Sequence, residues 1–121
     1  MYRDNVTVGR FCREFKKMVY DNYDDHRLKA IDICQIIGIH ERQYYRLAKS
    51  GLRVSPAVYL NQFRIEKAIG LIEAGELVSV VARKVGFNSY AYFARKFREE
   101  VGCSATDYLK HSKKKKFGMI R

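Results

Sequence analysis

The stretch "VARKVGFNSYAYFARKFR" at residues 81–98 decides the fold. Helix-like spacing runs up to Gly86, pauses for three residues, and resumes with aromatic and cationic side chains. A glycine at such a break permits a positive φ that a β-carbon resists. Ala82, four residues earlier, is small enough to let a second helix cross the first closely. Phe87 follows the glycine and plugs the space under the crossing. The unit reads as helix, glycine turn, helix. By itself it fits a plain αα-hairpin as well as a helix-turn-helix.

The chain repeats this unit. "CQIIGI" at 34–39 matches "ARKVGF" at 82–87, an offset of 48. Beyond the turn the offset becomes 49: Tyr44 matches Phe93, Arg46 matches Arg95, and "LRVSPAVYL" at 52–60 matches "VGCSATDYL" at 101–109. The one-residue change falls in the turn, where length can vary without disturbing helix packing. Two copies are too few for a solenoid and suit two pseudo-equivalent lobes.

The remaining sequence supplies the connecting helices. Residues 6–22 place Val8, Phe11, Phe15, Met18 and Val19 on one stripe. Residues 28–37 form a short helix stopped by Gly38, and 41–50 form the next. Ser55 and Pro56 have the pattern of an N-cap followed by proline at the first helical position. A long helix over 56–74 follows, closed by Gly75. Helices are expected over 78–85 and 89–100, with a last turn or helix at 104–110. The fold expected is all-α, with about seven helices and two helix-turn-helix lobes joined by a long central helix. Lobe one covers about 6–55, the linker helix 56–74 and lobe two 76–110. The segment "HSKKKKFGMIR" at 111–121 reads as a basic, flexible tail.

The second helix of each unit carries the candidate binding face. In "HERQYYRLAKS" (40–50), Tyr44 and Leu47 turn inward beside Ala48, leaving Glu41, Arg42, Tyr45, Arg46 and Lys49 outside. In "SYAYFARKFREE" (89–100), Phe93 and Phe97 go in while Tyr90, Ala91, Ala94, Arg95 and Arg98 go out. Ser89 is a natural N-cap; His40, its counterpart, is a poorer one. A helix presenting Arg, Tyr and Ala can read a DNA major groove. Arginine pairs with guanine in a bidentate fork, and Ala or Tyr touches a thymine methyl. The plainer alternatives for each arginine are a solvated face or a phosphate contact.

Charge agrees with such a partner. The 121 residues hold 24 Lys and Arg against 13 Asp and Glu, a formal +11. That excess favours nucleic acid or an anionic membrane. Six cations (Lys110, Lys113, Lys114, Lys115, Lys116 and Arg121) lie in residues 110–121, with no acid among them. No apolar run approaches the ~20 residues of a membrane span, and the N-terminus lacks a secretory signal. Cys12, Cys34 and Cys103 form no C-x-x-C, and His26, His40 and His111 do not pair with them at zinc spacing. Reduced thiols in a cytoplasmic protein, with no metal and no cofactor, are expected. No Ser-His-Asp set or phosphate-cradling glycine loop can be assembled, so an enzyme is not expected.

Residues 28–110 resemble the DNA-binding domain of the AraC/XylS family of bacterial transcription activators. The resemblance rests on "ICQIIGIHERQYYR", "SPAVYLNQFRIEKAIGLIE", "VARKVGFNSYAYFARKFREEVG" and "ATDYLK", and residues 6–22 look like the helix that opens that domain. It implies seven helices, a rigid connecting helix and two recognition helices entering successive major-groove segments on one face of double-stranded DNA. Arg42, Tyr45 and Arg46 take the base-contacting places of lobe one, and Tyr90, Ala91, Ala94 and Arg95 those of lobe two. Lys49, Ser89 and Arg98 complete the expected DNA-binding set. The chain departs from the family pattern at His40 and Glu41, at Arg53, where glycine is common, and at Ala105, where proline is common. With 27 residues before the first unit, the chain resembles either the short, single-domain members, binding as a monomer, or a fragment of a longer regulator. The function expected is sequence-specific transcription regulation, with RNA polymerase as a further candidate partner. The alternative is a basic architectural or recombination-accessory DNA-binding protein with little sequence preference.

Overall fold

The computed structural model describes residues 6–120 and contains seven α-helices. They are α1 (Val8–Asn22), α2 (Ala30–Ile37), α3 (Glu41–Gly51), α4 (Pro56–Glu73), α5 (Val78–Lys84), α6 (Tyr90–Val101) and α7 (Ala105–Ile120). Side-chain oxygens start four of them by accepting an otherwise unpaired backbone N–H. Thr7 accepts from Arg10, Ser55 from Val58, Ser89 from Tyr92 and Ser104 from Asp107, at 3.0–3.2 Å.

The two turns have the same construction. Gly38 and Gly86 have φ of 82° and 99°, in the left-handed region that glycine enters without strain. The following N–H groups reach back to matching carbonyls, Ile39 to Cys34 at 3.1 Å and Phe87 to Ala82 at 3.0 Å. Both plug residues, Ile39 and Phe87, are buried.

Burial divides the protein into two clusters. The first joins Phe11, Phe15 and Val19 of α1 to Ile33 and Ile37 of α2, Tyr44 and Leu47 of α3, and Leu60 of α4. The second joins Ile65, Ala68 and Ile72 of α4 to Val81, Val85, Phe87, Phe93 and Phe97. The long helix α4 therefore serves both cores, changing allegiance between Leu60 and Ile65. Arg64 lies at that change and is 6% exposed. Its Nε donates to the Tyr23 carbonyl at 2.7 Å; its Nη2 donates to Asp25 and Leu28 carbonyls at 3.0 and 3.3 Å. Its guanidinium also sits 5.8 Å from the Phe87 ring centroid. Burial pulls the Arg64 pKa below the usual arginine range, while Asp25 and Asp24 oppose the shift. Hydrogen bonds to a charged group contribute about 1.5–3 kcal/mol, so the carbonyl set offsets much of that desolvation.

The last helix departs from the sequence reading. The backbone remains helical to Ile120, where the sequence predicts a tail from 111. The His111 ring donates from Nδ1 to the Asp107 carbonyl at 2.9 Å, spanning the expected end. The side chains beyond Ser112, and Arg121, lie outside the described residues.

Backbone geometry at two positions bears directly on stability. A β-carbon at Gly86 would overlap the Tyr23 carbonyl oxygen and lie 2.9 Å from Arg64 Nε. Gly86→Ala is expected to lower unfolding free energy by about 3 kcal/mol or more, combining left-handed strain with disturbed Arg64 bonds. Urea denaturation measures this, and a drop below about 1 kcal/mol would show that the turn relaxes. Arg53 is exposed and has φ of 64°, the residue past the end of α3 held in the left-handed region. Arg53→Gly relieves strain of about 1–2 kcal/mol against roughly 0.5–1 kcal/mol of added backbone entropy. A rise in Tm of about 2–5 °C is expected; an unchanged or lower Tm would contradict strain at Arg53.

Candidate nucleic-acid interface

Each candidate helix is fixed by an aromatic on its inner face. In α3, Tyr44 is fully buried, and its hydroxyl donates to the Ala30 carbonyl at the start of α2. Burial pushes the Tyr44 pKa far above the usual tyrosine range, so the hydroxyl stays protonated and donating. Its ring packs edge-on to Phe11, with centroids 5.7 Å apart. In α6, Phe93 lies between Phe87 and Phe97, at 5.3 and 5.7 Å.

These anchors decide what faces out. Arg46 and Arg95 each follow their buried aromatic by two residues, about 200° around a helix, and both are exposed. Arg42, Tyr45 and Lys49 share the outer face of α3. Ser89, Tyr90, Ala91 and Arg98 are exposed with Arg95 on lobe two. Ala94 differs from expectation in being half-buried, because it sits beside Phe93 on the flank of α6. Ser89 caps α6, whereas His40 at the start of α3 makes no side-chain cap bond. Glu41 stands exposed in the first turn of α3, where its charge suits the N-terminal end of the helix dipole. Lobe one thus begins with a carboxylate where lobe two begins with a hydroxyl cap.

Three residues near this surface escape the sequence reading. Tyr92 is 37% exposed, and its ring lies 5.2 Å from the Arg95 guanidinium carbon. Asn61 of α4 donates from Nδ2 to the Tyr92 hydroxyl at 3.0 Å. Arg64 is buried and lines a cleft of about 340 Å³ between the lobes. His26, Lys29, Asn88 and Tyr92 line the same cleft. The three-residue spacing of Tyr92 and Arg95 is visible in the sequence; the reach of Asn61 is not, because it depends on how α4 crosses α6. Among the described residues, no helix is long and apolar enough to cross a membrane.

Comparison with known proteins places these features. Residues 33–111 match the family described as "Helix-turn-helix domain". The chain is 30% identical over 110 residues to an uncharacterized response regulatory protein of Staphylococcus epidermidis, covering 91% of this chain and 42% of that protein. It is 31% identical over 91 residues to the lactose operon transcription activator of Staphylococcus xylosus, covering 74% and 32%. The chain thus spans less than half the length of these curated relatives. The C-terminal domain of AraT, a response regulator from Geobacillus stearothermophilus, superposes with a TM-score of 0.81 at 21% identity, covering 88% of each chain. A transcriptional regulator from Chromobacterium violaceum, of the AraC-type DNA-binding domain-containing proteins, superposes at 0.75 with 21% identity, covering 86% and 93%. With two glycine-turned units on one shared helix and this family match, the chain belongs to the AraC-type helix-turn-helix domain family.

Proposed function

We propose that the chain regulates transcription by reading double-stranded DNA with α3 and α6 in successive major-groove segments. The observation that carries this reading is the matched pair of exposed faces, with Arg46 and Arg95 at one repeat position opposite a buried aromatic. Arg95 and Arg46 are the bidentate readers of guanine, and Arg42 supports Arg46. Tyr45, Tyr90 and Ala91 meet thymine methyls, with Ala94 at the margin. Lys49, Ser89 and Arg98 hold phosphates and set the register. One chain carries both reading helices, so a single copy spans two groove segments. The family relation and the paired faces support a regulator over an architectural binder.

Selection from a random duplex pool tests the reading. Two short preferred elements are expected about one helical turn, or ~10 base pairs, apart; a pool without preference would favour the architectural alternative. Arg95→Ala is expected to weaken the selected site by about 1–3 kcal/mol and relax preference at one or two base pairs. Arg46→Ala does the same in the other element. A uniform loss across all sequences would demote either arginine to a phosphate contact.

The C-terminal lysines serve a different purpose in this scheme. Deleting residues 113–121 removes five formal positive charges: Lys113, Lys114, Lys115, Lys116 and Arg121. Affinity for selected and random duplexes is expected to fall by similar factors. The slope of log K against log salt becomes shallower by about 0.9 for each phosphate that is no longer neutralised. A loss confined to the selected site would place base-reading groups in this segment.

A further inference from the structure

We infer that Tyr92 is a positioning residue for Arg95, held in turn by Asn61 of the linker helix; this rests on Arg95 being a base reader. Tyr92 precedes Arg95 by three residues and Lys96 by four, so both cations reach its ring on the helix surface. The Arg95 guanidinium carbon is 5.2 Å from the ring centroid and the Lys96 ammonium 5.4 Å. Lys96 has a second partner, Glu99, at 3.1 Å. Arg95 therefore depends on the ring more than Lys96 does.

The ring itself is oriented from outside its own helix. Its hydroxyl accepts from Asn61 Nδ2 at 3.0 Å, and both residues line the interlobe cleft. Its inner edge tilts against Phe87, with centroids 6.0 Å apart. Tyr92 is thus tied to α4 at the hydroxyl and to the plug residue at the ring. A free arginine samples many rotamers, and ordering it on a base opposes binding. A guanidinium resting on a fixed aromatic face is already confined near its outward pose. The face also attracts the cation without occupying the hydrogen-bonding edge that a guanine needs. The chain Asn61–Tyr92–Arg95 thereby links the helix that joins the lobes to the tip that reads a base.

Binding of the selected duplex, and of duplexes substituted at each base pair, tests this at fixed salt. Tyr92→Leu removes ring face and hydroxyl together; a loss of about two- to fivefold on the selected duplex is expected. The loss is concentrated at the base pair whose preference Arg95→Ala relaxes. Adding Tyr92→Leu to Arg95→Ala is expected to cause little further change, because the arginine it positions is gone. Tyr92→Phe keeps the ring, and Asn61→Ala removes the donor; each yields a smaller loss at that same base pair. Because both conserve the Phe87 contact, they remain informative if Tyr92→Leu folds poorly. If Arg95→Ala leaves base preference intact, the base-reading role and the positioning role fall together. If Arg95→Ala relaxes preference while the Tyr92 and Asn61 variants weaken every duplex equally, or not at all, the positioning role alone is overturned.

Discussion

The buried guanidinium of Arg64 holds the two halves of this protein in one relation. It sits on α4 where the first core ends at Leu60 and the second begins at Ile65. Its donors close on carbonyls of Tyr23, Asp25 and Leu28, which belong to the connection between α1 and α2. Its flat face lies near Phe87, the plug of the second turn. Arginine suits this place because a planar fork can serve several carbonyls at once, whereas a lysine presents a single point charge. The same contact explains the demand on Gly86 more fully than the turn alone. The left-handed backbone favours glycine, and the neighbouring carbonyl and guanidinium leave no room for a β-carbon. A reader of two groove segments needs its helices fixed in separation and tilt. A charge buried between the lobes resists their rotation, since any gap would leave a desolvated cation with fewer partners.

The two lobes share a plan but not its quality. Lobe two starts its outer helix with a serine cap and places Arg95 on a braced tyrosine. Lobe one starts with His40, whose side chain makes no cap bond, and ends the helix on Arg53 with a left-handed backbone. Glu41 adds an exposed carboxylate beside the cationic face, which repels phosphate while favouring the helix dipole. These features distinguish the surroundings of Arg46 and Arg95, although the two hold one repeat position. At the interior the lobes are alike: Phe11, Phe15 and Tyr44 form a continuous aromatic contact in lobe one, as Phe87, Phe93 and Phe97 do in lobe two.

The fold is legible in the sequence because its signals are local. Gly38 and Gly86 mark the turns, Ser55 and Pro56 open the linker helix, and the spacing of Phe93 and Phe97 sets the inner face of α6. The outward set from Arg42 to Arg98 follows from the same periodicity, with Ala94 displaced to one flank. Arg64 is illegible for a physical reason: between Phe63 and Ile65 it reads as a surface cation, and its partners are backbone carbonyls with no side-chain signature. Asn61 is hidden likewise, because its contact with Tyr92 joins residues separated by 31 positions. The helical continuation through the lysine run is hard to foresee because repulsion among adjacent cations argues for an open tail.

Placement of charge then connects stability to discrimination. Exposed charge is screened by salt within about 8–10 Å and draws in any duplex alike. Such charge raises affinity but distinguishes one sequence from another only weakly. Discrimination needs a cation whose direction is set before contact, because an unpaired or misaligned guanidinium gains almost as much from a phosphate as from a base. In α6 that direction is set by an aromatic face, and the face is set by an amide on the helix that also carries Arg64. The residue that unites the cores and the proposed base reader are therefore joined through Asn61 and Tyr92. A shift of α4 would disturb both the interlobe angle and the pose of Arg95, which ties the linker helix to the proposed reading surface.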